Sequence, residues 1–239
     1  SAVGFRGYDA NYLAASGVST QNIKLSSGSF TISDTGGVGT AGTYGINALV
    51  FLPSVSGQTI SFTDNADTLN LTAGALSLNA NAITRSIGSA VGNGRLTAGG
   101  TLSSGTARLY ITSNYSTTTM NSSIVDSGYG AKTRLVYTPY NAAVLLLSGT
   151  NSYSGGTTLN GSAGQTGSIQ LGIAGADGAS SVAIPAGDLF LNYATVSALG
   201  SDQIARTVVP TINGGGSLSL NTYDTILGGL TFNNNGGVG

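Results

Sequence analysis

Apolar residues recur along this chain as pairs two positions apart, and Gly, Asn, Ser or Asp closes off nearly every pair. The series runs Ile23/Leu25, Phe30/Ile32, Leu49/Phe51, Ile60/Phe62, Leu69/Leu71 and Leu76/Leu78, then Leu109/Ile111, Leu135/Tyr137, Leu145/Leu147, Ile169/Leu171, Leu189/Leu191, Leu218/Leu220 and Leu230/Phe232. The residue inside each pair is mostly small or polar, as with Thr31, Asn70, Ser77, Gln170 and Ser219. Alternation with a period of two sends one set of side chains inward and the other to water, so each pair predicts a short half-buried strand. Short strands repeated at close intervals predict a sandwich, a barrel or a solenoid.

The solenoid fits best. These strands are too short for a wide barrel wall, a turn follows almost every one, and repetition of one small unit is the mark of a quasi-one-dimensional stack. In such a stack each coil bonds to the coils above and below at about 4.8 Å, and the inward residues merge into one column. The predicted fold is an all-β parallel β-helix, continuous over residues 1–239, with residues 126–143 as an irregular loop. A longer echo pairs Ile46-Asn47-Ala48-Leu49-Val50-Phe51 with Leu227-Gly228-Gly229-Leu230-Thr231-Phe232, and the same offset sets Ile23 against Ile204. Taken as a repeat, it makes the chain about one unit of a tandem array.

Composition sharpens this picture. Hydrophobic residues make up 40%, too many for a disordered chain, yet charged residues are only 7%, against about 25% in ordinary domains. All the acids are Asp, and Lys24 and Lys132 are the two lysines. Long charged side chains that coat helices are therefore scarce, while Gly, Ser, Thr and Asn, which suit turns and strand faces, abound. A net charge of -1 offers no field for a polyanion such as nucleic acid. The longest apolar run, residues 142–147, is too short to cross a bilayer. With neither Cys nor His there are no disulfides and no expected zinc, haem or iron–sulfur site. No basic, apolar leader opens the chain, so either a leader is removed or the chain is a segment of something longer.

Residues 147–161, Leu147-Ser148-Gly149-Thr150-Asn151-Ser152-Tyr153-Ser154-Gly155-Gly156-Thr157-Thr158-Leu159-Asn160-Gly161, carry the most specific pattern. This stretch resembles the autotransporter-associated β-strand repeat, L-x-G-x-N-x-Y-x-G-G-T followed by another short strand. Residues 167–172 look like that next strand, and 213–221 and 226–232 like two further elements. Residues 137–143 depart from the family, which has a short Lys/Gly-rich lead-in there. The resemblance implies a right-handed parallel β-helix, outward secretion in a large bacterial surface protein, and no conserved catalytic set. Read residue by residue, Gly149, Gly155 and Gly156 are expected to turn the chain at positive φ, Asn151 to bond its own backbone, and Tyr153 to cover a corner with its hydroxyl in water.

Other candidate chemistry is thin. Residues 37–42 spell G-x-G-x-x-G, but in so glycine-rich a chain about one match is expected by chance, and residues 46–51 read as a strand where a dinucleotide site needs a helix. Asp64 and Asp67 read as turn acids more readily than as calcium ligands. The remaining acids, Asp9, Asp34, Asp126, Asp177, Asp188, Asp202 and Asp224, are mostly isolated, so no catalytic, cofactor-binding or metal-binding residue is assigned and the chain is not expected to be an enzyme. Residues 126–140 gather Tyr129, Tyr137, Tyr140, Lys132 and Arg134, the first place to look for a sugar or protein contact. Asn70, Asn114, Asn121 and Asn160 stand in N-x-S/T sequons.

These readings converge on an extracellular or cell-surface structural element. It is expected to form a rod or fibre by end-to-end self-association, since no capping helix or terminal charge cluster is visible at Ser1 or at residues 233–239. An adhesin binding glycans or a cell surface is the alternative, and a polysaccharide-degrading β-helix a third.

Overall fold

The computed structural model describes residues 8–9, 19–25, 28–32, 42–51, 57–79 and 84–233. These residues contain β-strands and turns and no helix. In chain order the strands are β1 (Asn22–Leu25), β2 (Phe30–Ile32), β3 (Thr43–Phe51), β4 (Gln58–Phe62), β5 (Thr68–Asn79), β6 (Thr84–Ile87), β7 (Arg95–Ala98), β8 (Thr106–Asn114), β9 (Thr117–Met120) and β10 (Ser123–Ile124). They continue as β11 (Lys132–Tyr140), β12 (Val144–Leu147), β13 (Thr157–Asn160), β14 (Ser168–Leu171), β15 (Leu189–Asn192), β16 (Thr195–Ala198), β17 (Pro210–Asn213), β18 (Ser217–Ser219) and β19 (Thr231–Asn233).

Every pairing among them is parallel. One sheet stacks β1-β3-β5-β8-β11-β13-β15-β17-β19, and a second stacks β2-β4-β6-β9-β12-β14-β16-β18. The chain alternates between them, one strand in each per coil, which is the topology of a parallel β-solenoid. The central column of the first sheet holds Ile23, Leu49, Leu76, Ile111, Tyr137, Leu159, Leu191, Ile212 and Phe232 in continuous register. The facing column of the second holds Phe30, Ile60, Ile87, Met120, Leu147, Leu171 and Ala198. The pairs from Leu49/Phe51 to Leu189/Leu191 all lie buried in one core cluster. Full burial of such a side chain stabilises by about 1.5–3 kcal/mol.

A third, narrower lane runs beside the first sheet. The long strands β3 and β5 span both: Tyr44, Leu69, Leu96 and Ile124 stack in the narrow lane, while β8 takes over the wide one from Ala75 onward. After β10 the lane continues without regular strands, through backbone bonds from Ser152 N to Ile124 O and from Asn151 N to Val182 O, and through the Ile184–Ile204 bridge.

Two sequence expectations are corrected here. Residues 126–143 are not an irregular loop: β11 occupies nine of them and pairs with β8 along its whole length. Thr133, Leu135 and Tyr137 alternate inward there, so the tyrosines and cations that suggested a loop belong to a strand with one wet face. The echo at residues 46–51 and 227–232 is out of step, because Phe232 stands in the column of Leu49, not of Phe51, and Ile204 lies in the narrow lane, away from the column of Ile23.

Candidate functional site

The 147–161 motif is a set of stitches between coils. Leu147 ends β12 in the second sheet, Asn151 crosses the narrow lane, and Thr157 opens β13 in the first. Asn151 is buried; its Oδ1 accepts from Ile124 N at 2.7 Å, and its Nδ2 donates to Ala183 O at 2.8 Å. One side chain thus joins the coil before it to the coil after it, where the sequence suggested a bond to its own backbone. Tyr153 is also buried, with its hydroxyl against that of Thr157 and not in water. Of the glycines, Gly156 has positive φ. Gly149 and Gly155 do not; a Cβ on either would press into the backbone of the preceding coil, so close approach is what they serve. Asp126 ties the same corner, accepting from Thr133 N, Ser154 N and the Ser154 hydroxyl.

Asp64, Asp67 and Asp177 do turn work. Asp64 Oδ1 accepts from Ala66 N, and Asp67 accepts from Asp64 N and Gly42 N, an Asx arrangement as expected. Asp177 accepts from the backbone of Ser181, Ala179 and Ser180 and from the Ser180 hydroxyl, which together hold its carboxyl well below the usual range. Among the described residues no three acids converge on a metal-sized site. Residues 37–41 of the glycine motif and Asp34 lie outside the described residues, while residues 46–51 do form part of a strand. The four sequon asparagines all bond other coils: Asn70 to Gly100, Asn114 to Asn141, Asn121 to Gly88, and Asn160 to Asn192.

The basic segment resolves into two roles. Tyr137 is a core residue whose hydroxyl meets Ser113 Oγ at 2.6 Å, whereas Tyr129 and Tyr140 are each 51% exposed. Arg134 donates to Gly155 O, Thr158 Oγ1 and Asp188 Oδ2, the last at 2.8 Å, and lies over the Phe190 ring. It is a brace across three coils; the partly exposed ion pair itself adds only about 0–1 kcal/mol.

Arg85 is a functional-looking residue that the sequence reading missed. It is buried in the inward column of the second sheet, between Gln58 and Thr118. Its Nε donates to Gln58 Oε1, its Nη1 to Leu78 O, and its guanidinium lies 5.4 Å from the Phe51 ring centre. Burial lowers its pKa from the ordinary value. Thr84-Arg85-Ser86-Ile87 has no aliphatic partner for Ile87 two positions back, the only local signal that a polar group takes the inward place.

The last described rung carries exposed apolar side chains. Phe232 occupies the central column yet is 71% exposed, and Ile226 and Leu230 are exposed beside it. A ladder of amides leads there: Asn192 Nδ2 donates to Asn160 Oδ1 at 2.8 Å, and Asn213 Nδ2 to Asn192 Oδ1 at 2.6 Å. The ladder stops with Asn213 Oδ1 buried and unbonded, although Asn233 stands in register with it. At the opposite edge, Asp9 N donates to Asn22 O, and Lys24 Nζ lies 5.1 Å from the Tyr8 ring centre, so two residues already rest on β1.

Compared with protein-family models, curated proteins and solved structures, the chain matches none.

Proposed function

We propose that this chain is an extracellular structural β-solenoid that builds a rod or fibre by adding copies end to end. The supporting observation is the exposed Phe232 in the column of Ile23: β18 and β19 present strand edges and an apolar column of the same polarity as β1 and β2. An open strand edge with apolar flanks is a template for another chain. Because the two ends are different surfaces, the contact is heterologous and does not close on itself. The 147–161 resemblance supports surface exposure, and low charge removes the repulsion that keeps sheet edges apart.

Sedimentation and electron microscopy over a concentration series test this. Fibres or rods that lengthen with concentration are expected, and Phe232→Asp should shift the midpoint of assembly at least tenfold upward. Removal of residues 1–9 clears Tyr8 and Asp9 from β1 and should lower that midpoint. Monodisperse short rods at millimolar concentration, unchanged by either variant, overturn the proposal.

A further inference from the structure

Where the narrow and wide lanes part, the outer face of the first sheet carries a preformed hollow. Residues 72–74 bulge between the half of β5 that pairs with β7 and the half that pairs with β8. Gly74, at φ 70°, sits where a Cβ would collide with Arg108 O, so this fold of the chain requires glycine. The segment between β7 and β8 leaves the sheet at Gly99 and Gly100 and is clamped from below: Asn70 Nδ2 donates to Gly100 O at 2.8 Å, and Gly100 N to Asn70 Oδ1 at 3.0 Å. The result is a hollow of about 290 Å³ lined by Thr72, Leu102, Thr106, Arg108 and Tyr110 among others.

Its chemistry is that of a binding surface and not of a filled corner. Thr106, Arg108 and Tyr110 alternate outward along β8, and Leu102 and Tyr110 are 44% and 42% exposed. In the next rung Lys132 stands beside Thr106, and Arg134 beside Arg108. Of the carboxylates near these strands, Asp188 is held by Arg134, and Asp126 by Thr133 N and Ser154. Among the described residues Arg108 and Lys132 have no ion pair. Three of the chain's eight cations therefore lie on two adjacent strands, two of them unpaired, against a net charge of -1 overall.

We propose that this hollow is a subsite for an anionic polysaccharide, with one sugar ring lying on Tyr110 and its carboxylate or sulfate on Arg108. Tyr offers a broad apolar face with a polar tip, which suits a sugar that is apolar on its ring faces and hydroxylated at its edge. The planar guanidinium fork matches a carboxylate or sulfate with two parallel bonds. Thr106 adds a hydroxyl at the rim. The volume lies near the low end of small-molecule sites, about 300–1,000 Å³, and holds one or two rings. A chain continuing to the next rung, about 4.8 Å on, meets Lys132. The site does not depend on end-to-end assembly, and a monomeric chain carries it whole.

Affinity electrophoresis and biolayer interferometry, with polygalacturonate, dextran sulfate, neutral dextran and oligothymidylate as probes, test the proposal. Binding to polygalacturonate, dextran sulfate or both should exceed that to dextran at least tenfold, and the stronger of the two identifies the acid group. Arg108→Gln and Tyr110→Ala should each lower it tenfold or more without moving the unfolding temperature, since both side chains are exposed. Arg95→Gln, which removes an equal charge from another surface, and Tyr129→Ala should leave it unchanged. Equal binding of dextran, preference for oligothymidylate, equal loss in Arg95→Gln, or full binding by both hollow variants each overturns the assignment.

Discussion

The hydroxyls of Tyr153 and Thr157 lie 2.5 Å apart inside the core, both out of reach of water. Tyr137, one coil earlier, and Ser113, two coils earlier, repeat the arrangement. Each pair places two polar atoms in an apolar core and satisfies them on one another, which is the condition for burying them at small net cost.

Tyr153→Phe leaves the Thr157 hydroxyl buried without its tyrosine partner and should destabilise by about 1–3 kcal/mol. The double variant Tyr153→Phe/Thr157→Val removes both partners while keeping the shape, so it should recover most of that loss. Urea unfolding of the two single variants and the double variant measures the coupling, and additive losses would show that the hydroxyls do not interact.

Burial raises the pKa of both phenols well above the ordinary 10.0, while the bonds to Ser113 and Thr157 pull the other way. Above pH 10 the unfolded chain loses these protons and the folded chain keeps them. The stability they confer is complete below pH 10 and falls as pH rises beyond it. Each phenol contributes a slope of about 1.4 kcal/mol per pH unit, so Tyr153→Phe should halve the combined alkaline slope of the pair. Thermal melts from pH 9 to 11.5 check this; an unchanged slope would refute it.

Asn151→Ala orphans Ile124 N and Ala183 O together, at a cost of about 2–5 kcal/mol. Asn151→Asp keeps the acceptor for Ile124 N but cannot donate to Ala183 O, and it adds a buried charge, so it should also be destabilising at neutral pH. Amide exchange read at Ile124 and Ala183 should accelerate in both variants, and protection at wild-type levels would count against the stitch.

Leu159 stands mid-column between Tyr137 and Leu191. Leu159→Ala should cost about 2–5 kcal/mol through lost burial and a cavity. Val50→Ala, in a half-buried outward place, should cost well under half as much. Equal losses in denaturant melts would contradict the inward–outward assignment.

The alternating dyads were legible because their information is local: a residue two positions on faces the same way whatever the rest of the chain does. Leu69/Leu71, Leu76/Leu78 and Leu189/Leu191 sit where that rule puts them. β11 was misread because Tyr, Lys and Arg on its wet face hid the inward series Thr133, Leu135 and Tyr137. Arg85 escaped notice because a cation in an inward place breaks the binary pattern, and groups brought in from other strands, among them the Phe51 ring and the oxygens of Gln58 and Leu78, make that burial tolerable.

By itself, then, the sequence determined that the chain forms short strands with one apolar face, separated by turns, in an all-β stack. Which residue lies above which was decided only in three dimensions. Coils differ in length, so that Asn160 meets Asn192 across 32 residues while Asn192 meets Asn213 across 21. No fixed period announces such partners. The lengths of the turns and the main-chain register between coils select them, and with them the stitch at Asn151, the buried Tyr153 and the hollow beside Arg108.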